Sequence, residues 1–561
     1  MKKILIITAL MWTLFSCSDD ILNISPKDRI AEDAVWTDQN LIYAYHTELY
    51  NCIQHGFKIH MQSKATDEAV STITFDIGLF PIGAITPDNI TAVENTAWNG
   101  GGNIYYWGTG WQYIRKINIF LEKMGSTTIT IDNKARLVAE AKFLRAYIYF
   151  EFIKRFGGVP IISQSYQLAN AVSFTRNSFD ECVKFIEDNL TEASADLPAK
   201  YDASDANFGR ASQDVCQALL SRLYLYVASP LWNSTHDLQK WQKAADAAAA
   251  LLNKYSLYPD YTKLFNQPSG TANSELIWAR EFSSTNYHSE PPNNLGRRYG
   301  AYGGWWASNG PSQNLVDDYD MTNGEPAFIY PGGVKTVNPA SGYNPQHPYK
   351  NRDPRFEATI IHDSTVYHGD LHEMWVASDG NTWGYDSYKQ SGDNPRCDYI
   401  LKKFMPGIEE PISWQYHYTQ PWPIFRLGEI YLNYAEAKFE LGDEATCRDY
   451  LSKVRARVGM PAIPASVTGA NLRARLYNER RVEMAFEEQR FWDVRRWKIA
   501  SDVENRPLYG VQIIKDVNTG VKTYTPVQLL SRTFSDKMYL LPIATDELRK
   551  NNGSIVQTTG W

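Results

Sequence analysis

Between residues 137 and 152, Leu137, Ala141, Leu144, Ile148 and Phe152 recur every third or fourth position. That is the period of a helix with one buried face. Gly157, Gly158 and Pro160 end the run, and Asp132 or Asn133 is placed to cap its start. The spelling returns far downstream: LVAEAKFLRAYIYF and IYLNYAEAKFELGD both set alanines beside large aromatic residues. Alanine lets a neighbouring helix approach closely, and the ring fills the space beside it. A chain written this way is predicted to fold by pairing helices. Further helical patterns cover residues 34–50, 112–123, 179–190, 212–226, 241–254, 428–441, 445–458 and 471–485.

Tetratricopeptide helix pairs nest in this manner, although the strict signature with a period of about 34 residues is absent, so the repeats are degenerate. From about 260 to 425 the periodicity fades into Gly, Pro, Asn, Tyr and Trp, which predicts loops with short strands. The expected fold class is therefore mainly α: a tetratricopeptide-like helix-pair scaffold with a large, irregular, loop-rich insert containing short strands. The corresponding division is a signal peptide at 1–16, an extended tether at 17–33, an N-terminal helical part at 34–260, an irregular region at 261–425, and a C-terminal helical part at 426–561.

Lys2 and Lys3 precede an apolar run over 4–15, too short for the ~20 residues of a membrane span. Leu14-Phe15-Ser16-Cys17 closes it in the manner of a bacterial lipoprotein signal, cut before Cys17. A lipid on Cys17 would hold a soluble domain to a membrane, with Ser18-Asp19-Asp20 beginning the tether. No later stretch approaches ~18 consecutive apolar residues. Cys52, Cys182, Cys216, Cys397 and Cys447 form no CxxC motif and read as buried thiols. Lys plus Arg is 56 against 63 Asp plus Glu, which argues against a nucleic-acid partner.

Four long segments then occur in a telling order: AEAKFLRAYIYFEFIKRFGGVP (139–160), FRLGEIYLNYAEAKFELGD (425–443), LYNERRVEMAFEEQRFWDVRRW (476–497) and YLLPIATDELRKNNGSIVQTTGW (539–561). With the lipoprotein Cys17, AVWTDQN and YIRKINIFLEK, the chain resembles the SusD/RagB family of Bacteroidetes outer-membrane lipoproteins over essentially its whole mature length. The resemblance implies a surface-exposed, lipid-anchored, non-enzymatic protein of the outer membrane. It would capture an oligosaccharide as a lid over a SusC-like TonB-dependent transporter. A peptide or glycopeptide ligand, or a structural lid without a site of its own, are the alternatives. Asp19 and Asp20 look like that phylum's surface-export signal.

Aromatic residues make up 13% of the chain, enough for exposed stacking surfaces as well as a core. Sugar rings offer apolar faces and a hydroxyl rim, so a glycan binder needs exposed rings and polar side chains on loops. Trp98 and Tyr105, with Tyr106 and Trp107, lie in a glycine-rich stretch; Tyr299, Tyr302, Trp305 and Trp306 lie in RYGAYGGWW. These two clusters are preferred, because relatives of the resembled family often place ligand where an early loop meets the middle insert. Trp375, Trp383, Tyr385 and Tyr388 form a third cluster, and Trp111 reads as core. Asp67 and Arg298 are the polar candidates. Arg480, Arg481, Arg490, Arg495 and Arg496 alternate with glutamates and read as a charge-laced helix surface with local pairs. No pattern selects a carboxylate pair for glycoside hydrolysis. His368 and His372 have helical metal-site spacing, but the sequence is HGDLH rather than HExxH. No catalytic residue, cofactor or metal is expected.

Overall fold

The computed structural model describes residues 32–71, 76–94, 102–166, 172–300, 306–407 and 409–561. Its scaffold is helical: α1 (Gln39–Leu49), α2 (Trp107–Ser126), α3 (Lys134–Phe156), α4 (Phe179–Asp196), α5 (Gln213–Ala228), α6 (Leu238–Ala249), α7 (Leu427–Glu440), α8 (Glu444–Arg457), α9 (Gly469–Glu483) and α10 (Arg490–Arg496). Consecutive helices pack in pairs, α3 on α4, α5 on α6 and α7 on α8, and α7 also lies against α6. The alanines do what their spacing implies. Ala437 of α7 joins Ala228, Ala244, Ala245, Leu225 and Trp241 in one cluster, while Ala141, Leu144 and Ala435 are removed from solvent. No helix among the described residues is long and apolar enough to cross a membrane.

Helix ends follow their caps. The pattern over 34–50 divides because Asp38 accepts hydrogen bonds from the Asn40 and Leu41 N–H groups and starts α1 afresh. Ser178 and Glu181 form a capping box on α4. At α3 the expected polar cap is not realised: Asn133 sits at φ 55° with no side-chain bond to the helix. Gly157, at φ 74°, ends α3. A substituent there would also press on Trp232.

The strands are short and dispersed. β1 (Ala69–Ser71) pairs antiparallel with β3 (Asn309–Pro311), and β2 (Leu276–Arg280) with β5 (Trp422–Arg426). In the C-terminal stretch, β6 (Leu508–Lys515) and β7 (Lys522–Leu530) form a hairpin, and β6 pairs parallel on its other edge with β4 (Val376–Ala377). This hairpin was not among the expected elements.

The arginine-rich stretch is corrected by the structure. Arg480, Arg481, Arg490, Arg495 and Arg496 are all buried, as are Glu479, Glu483 and Glu487. Their partners are mostly distant in sequence. Arg496 meets Glu436, and Arg355 reaches Glu479 at 2.6 Å and Glu483 at 3.0 Å. Arg426 bonds Glu275 at 2.7 Å, Glu483 at 2.6 Å and Glu487 at 2.7 Å. These ion pairs bolt the middle region, through Asp320, Arg355 and Lys403, onto α8, α9 and the turn that follows. The five downstream cysteines are free and buried.

Candidate ligand-binding surface

A two-residue turn organises the middle region. Val366 and Tyr367 pair with Leu371 and Asp370, joined by His368 and Gly369. Both turn residues have positive φ, 51° and 80°, as a tight hairpin with the right-handed strand twist requires. The helical spacing of His368 and His372 is therefore spacing within a hairpin and its exit.

Against this hairpin lies the single turn Arg297–Tyr299. The Tyr299 hydroxyl stands 3.0 Å from the Tyr367 carbonyl oxygen and 2.9 Å from His372 Nε2. Arg298 donates to both carboxyl oxygens of Asp386, at 3.0 and 2.7 Å, and its Nη1 reaches Asp370 at 3.4 Å. Its guanidinium also sits 4.6 Å from the centre of the Tyr385 ring. Residues far apart in sequence thus become one surface: Tyr299 of the second cluster and Tyr385 of the third both stand beside Arg298. Tyr385 is 44% exposed and Trp383 38%, and the Trp383 indole is oriented by Gln390 at 2.8 Å.

Beside them opens a cavity of about 610 Å³, lined by Arg298, Tyr299, His368, Asp370, Glu409 and Glu410 among others. Its electrostatics combine a fixed cation with nearby acceptors. The bonds to Asp386 hold Arg298 firmly protonated. Burial pulls His372 down to about 4, which leaves it neutral at physiological pH. Burial also raises Glu410. The Arg298 guanidinium, carboxyl acceptors and the half-buried Tyr299 ring line the cavity, with the exposed Tyr385 ring against Arg298; together they suit a ligand with apolar faces and a hydroxyl rim.

The expected site residues separate into four groups. Arg298 and Tyr299 stand at the cavity. Trp306 is half-buried at φ 67°, in the left-handed region, and follows the cavity-lining turn. Trp98, Tyr302, Trp305 and the lipidation residue Cys17 lie outside the described residues. The remaining two are corrections. Tyr105 is 1% exposed; its hydroxyl accepts from the Ala544 N–H at 3.1 Å, and its ring meets Phe156 edge-on. It is core, as are Tyr106 and Trp107, because the helical segment starts at Trp107 and turns these rings inward. Asp67 is 5% exposed, and its carboxyl oxygens are taken by Arg481 and by Arg490 at 2.9 and 3.0 Å. Burial would raise its pKa, but the two guanidiniums outweigh that and hold it well below the ordinary carboxylate value. Buried and bridged by both guanidiniums, it is closed to a ligand.

Sequence reasoning did not single out Asp370, Glu409 or Glu410. The signal for the first was present: His-Gly between Val-Tyr and Asp-Leu is a two-residue hairpin turn, which directs attention to its flanks. Glu409 and Glu410 reach the cavity only through the long-range path of their loop.

One buried stretch underlies both aromatic segments. Lys64 Nζ donates to the Ile59 carbonyl at 3.0 Å and lies 2.8 Å from His60 Nδ1 and from Ser308 Oγ. Asn309 Oδ1 accepts from the Met61 N–H at 3.1 Å. Gly102, at φ 59°, is packed so tightly here that a Cβ would stand 2.8 Å from the Gln62 nitrogen and His60 oxygen. The described ends of the two segments, at 102 and at 308–309, thus meet the same backbone.

Comparison with known proteins decides the family. The model described as the SusD family matches residues 274–561, and one described as "Starch-binding associating with outer membrane" matches 30–225. The chain belongs to the SusD family. A SusD-like protein of Formosa agariphila is 24% identical over 474 residues, covering 80% of this chain and 79% of its own. The starch-binding protein SusD of Bacteroides thetaiotaomicron is 26% identical over 365 residues, covering 60% and 62%. Among solved structures, a SusD-like protein from Bacteroides fragilis superposes with a TM-score of 0.74 at 28% identity, over 96% of this chain and all of that one.

Proposed function

We propose that this protein is a surface-exposed lipoprotein that binds an oligosaccharide and passes it to a SusC-like TonB-dependent transporter of the outer membrane. It binds without turnover and is anchored through Cys17. The observation that carries the ligand reading is the Arg298 surface. There, a guanidinium fixed by Asp386 and the exposed ring of Tyr385 stand beside a cavity edged by Asp370, Glu409 and Glu410. Family membership supports the partner and the location. A glycan array probed with the Cys17→Ala chain tests the ligand class: binding to oligosaccharides is expected, and a blank array contradicts it. Incubation with the bound glycan should release no new reducing ends. In cells, Cys17→Ala should abolish labelling by a fatty-acid analogue and free the protein from membrane fractions; persistent labelling contradicts the anchor.

A further inference from the structure

A second cavity, of about 660 Å³, lies between the connection from α4 to α5 and the loop before β2, and shares no lining residue with the cavity at Arg298. Tyr201, Phe208, Tyr255 and Tyr258 contribute rings to its wall. Two of these rings are fixed by their hydroxyls: Tyr255 donates to Asp214 at 3.1 Å, and Tyr258 accepts from Gln267 Nε2. A ligand therefore meets rings that are already oriented, which lowers the ordering cost of binding.

The charges along this wall are of both signs and largely paired, so a neutral ligand is the least opposed. Lys254 is paired with Asp214 at 2.5 Å, Arg210 with Glu140 at 2.9 Å, and Lys200 stands 3.9 Å from Asp202. A free cation would face these three basic side chains, and a free anion would face Asp202 and Glu281. Glu281 forms no ion pair among the described residues; its carboxyl accepts from the Gly270 N–H at 3.2 Å. Its stem packs on Gly209, where a Cβ would stand 2.9 Å from Glu281 Cγ. Burial raises its pKa. The rest of the polar wall is uncharged and includes Asn253, Ser256, Thr271 and Ser274. Rings for apolar faces, a carboxyl acceptor and neutral hydrogen-bonding groups match a sugar's two kinds of surface.

We propose that this cavity is a second saccharide site, taking one or two neutral sugar rings, with Tyr258 as a stacking face and Glu281 as a hydroxyl acceptor. It goes beyond the reading of the Arg298 surface and does not depend on it. The test is saturation-transfer NMR on the mature chain with maltose, cellobiose and laminaribiose in turn, carried out in a Tyr385→Ala background that weakens the first surface. At least one disaccharide should still receive saturation, and adding Glu281→Gln should weaken its binding about threefold or more while the melting temperature stays unchanged. Tyr258→Ala should weaken it about tenfold; if that variant fails to fold, Glu281→Gln decides alone. Absence of transfer from all three sugars in the Tyr385→Ala background overturns the second site, as does binding indifferent to Glu281→Gln. Failure of the first surface reads separately, as equal affinity of the wild-type and Tyr385→Ala chains for the glycan selected on the array.

Discussion

Tyr105 and Tyr385 are the same residue type in loop-like sequence, and their surroundings give them opposite roles. Tyr105 is wedged between the start of α2 and the C-terminal segment, so Tyr105→Ala should cost about 3–5 kcal/mol of stability, as large-to-small changes in a core do. Its folded fraction should bind glycan with unchanged affinity, which denaturant unfolding and calorimetry together would check. Asp67 and Glu68 diverge just as sharply. Among the described residues, neither oxygen of the buried Glu68 carboxyl has a hydrogen-bond partner. Burial pushes its pKa up to about 8, a rise that Asp67 reinforces and Arg481, Arg490 and Lys403 oppose. The folded state therefore keeps a proton that the unfolded chain gives up at ordinary carboxylate pH. Stability from this group is present below that range and is lost as pH rises toward 8. Glu68→Gln, neutral throughout, should gain melting temperature over the wild type steadily between pH 5 and 8; parallel profiles would contradict this assignment. Neither fate was legible in the sequence, because exposure and ion pairing at positions 67, 68 and 105 are decided by residues more than four hundred positions away, including Arg481, Arg490 and Ala544.

The helices were the most legible elements. Their period, their alanines and the Gly157 stop are local properties, and α3 and α7 form where the spelling repeats. The charge pattern after residue 475 misled because periodicity marks which residues share a face without saying what covers it. Here the cover is the middle region, and α9 ends inside a network of buried ions. Burial alone would raise Glu483, but Arg457, Arg426 and Arg355 outweigh it and hold it well below the usual carboxylate value. Glu483→Gln removes the charge on which three guanidiniums converge. Breaking one side of a buried pair costs roughly 3–5 kcal/mol, so thermal unfolding should shift down by several degrees; an unchanged melting temperature would mean that the network is dispensable. Lys64 acts similarly on a smaller scale. Lys64→Met removes the donor that faces His60 Nδ1 and Ser308 Oγ, while the Ile59 carbonyl keeps the Ser308 hydroxyl at 2.6 Å, and should destabilise the chain by about 1–3 kcal/mol, the cost of a lost buried hydrogen-bonding group. A stability change within a few tenths of a kcal/mol would contradict that role.

For the molecule as a whole, the sequence carried the helical scaffold and the irregular middle, both of which depend on composition and period. The joining of the 298–299 and 383–385 clusters was not legible, since it depends on how the middle region folds back on itself; the hairpin of β6 and β7 in the C-terminal stretch was missed although its pairing is local. The proposed place of glycan binding is this joined surface. Titration calorimetry of the array-selected glycan against the wild-type and Tyr385→Ala chains tests it most directly. Stacking on one aromatic ring contributes ~1–3 kcal/mol in comparable base-stacking sites, and Tyr385 is substantially exposed. Tyr385→Ala should weaken binding about tenfold or more with the melting temperature held within about 2 °C, because a half-exposed ring contributes little to the core. A folded Tyr385→Ala chain that binds the glycan as tightly as the wild type would contradict it.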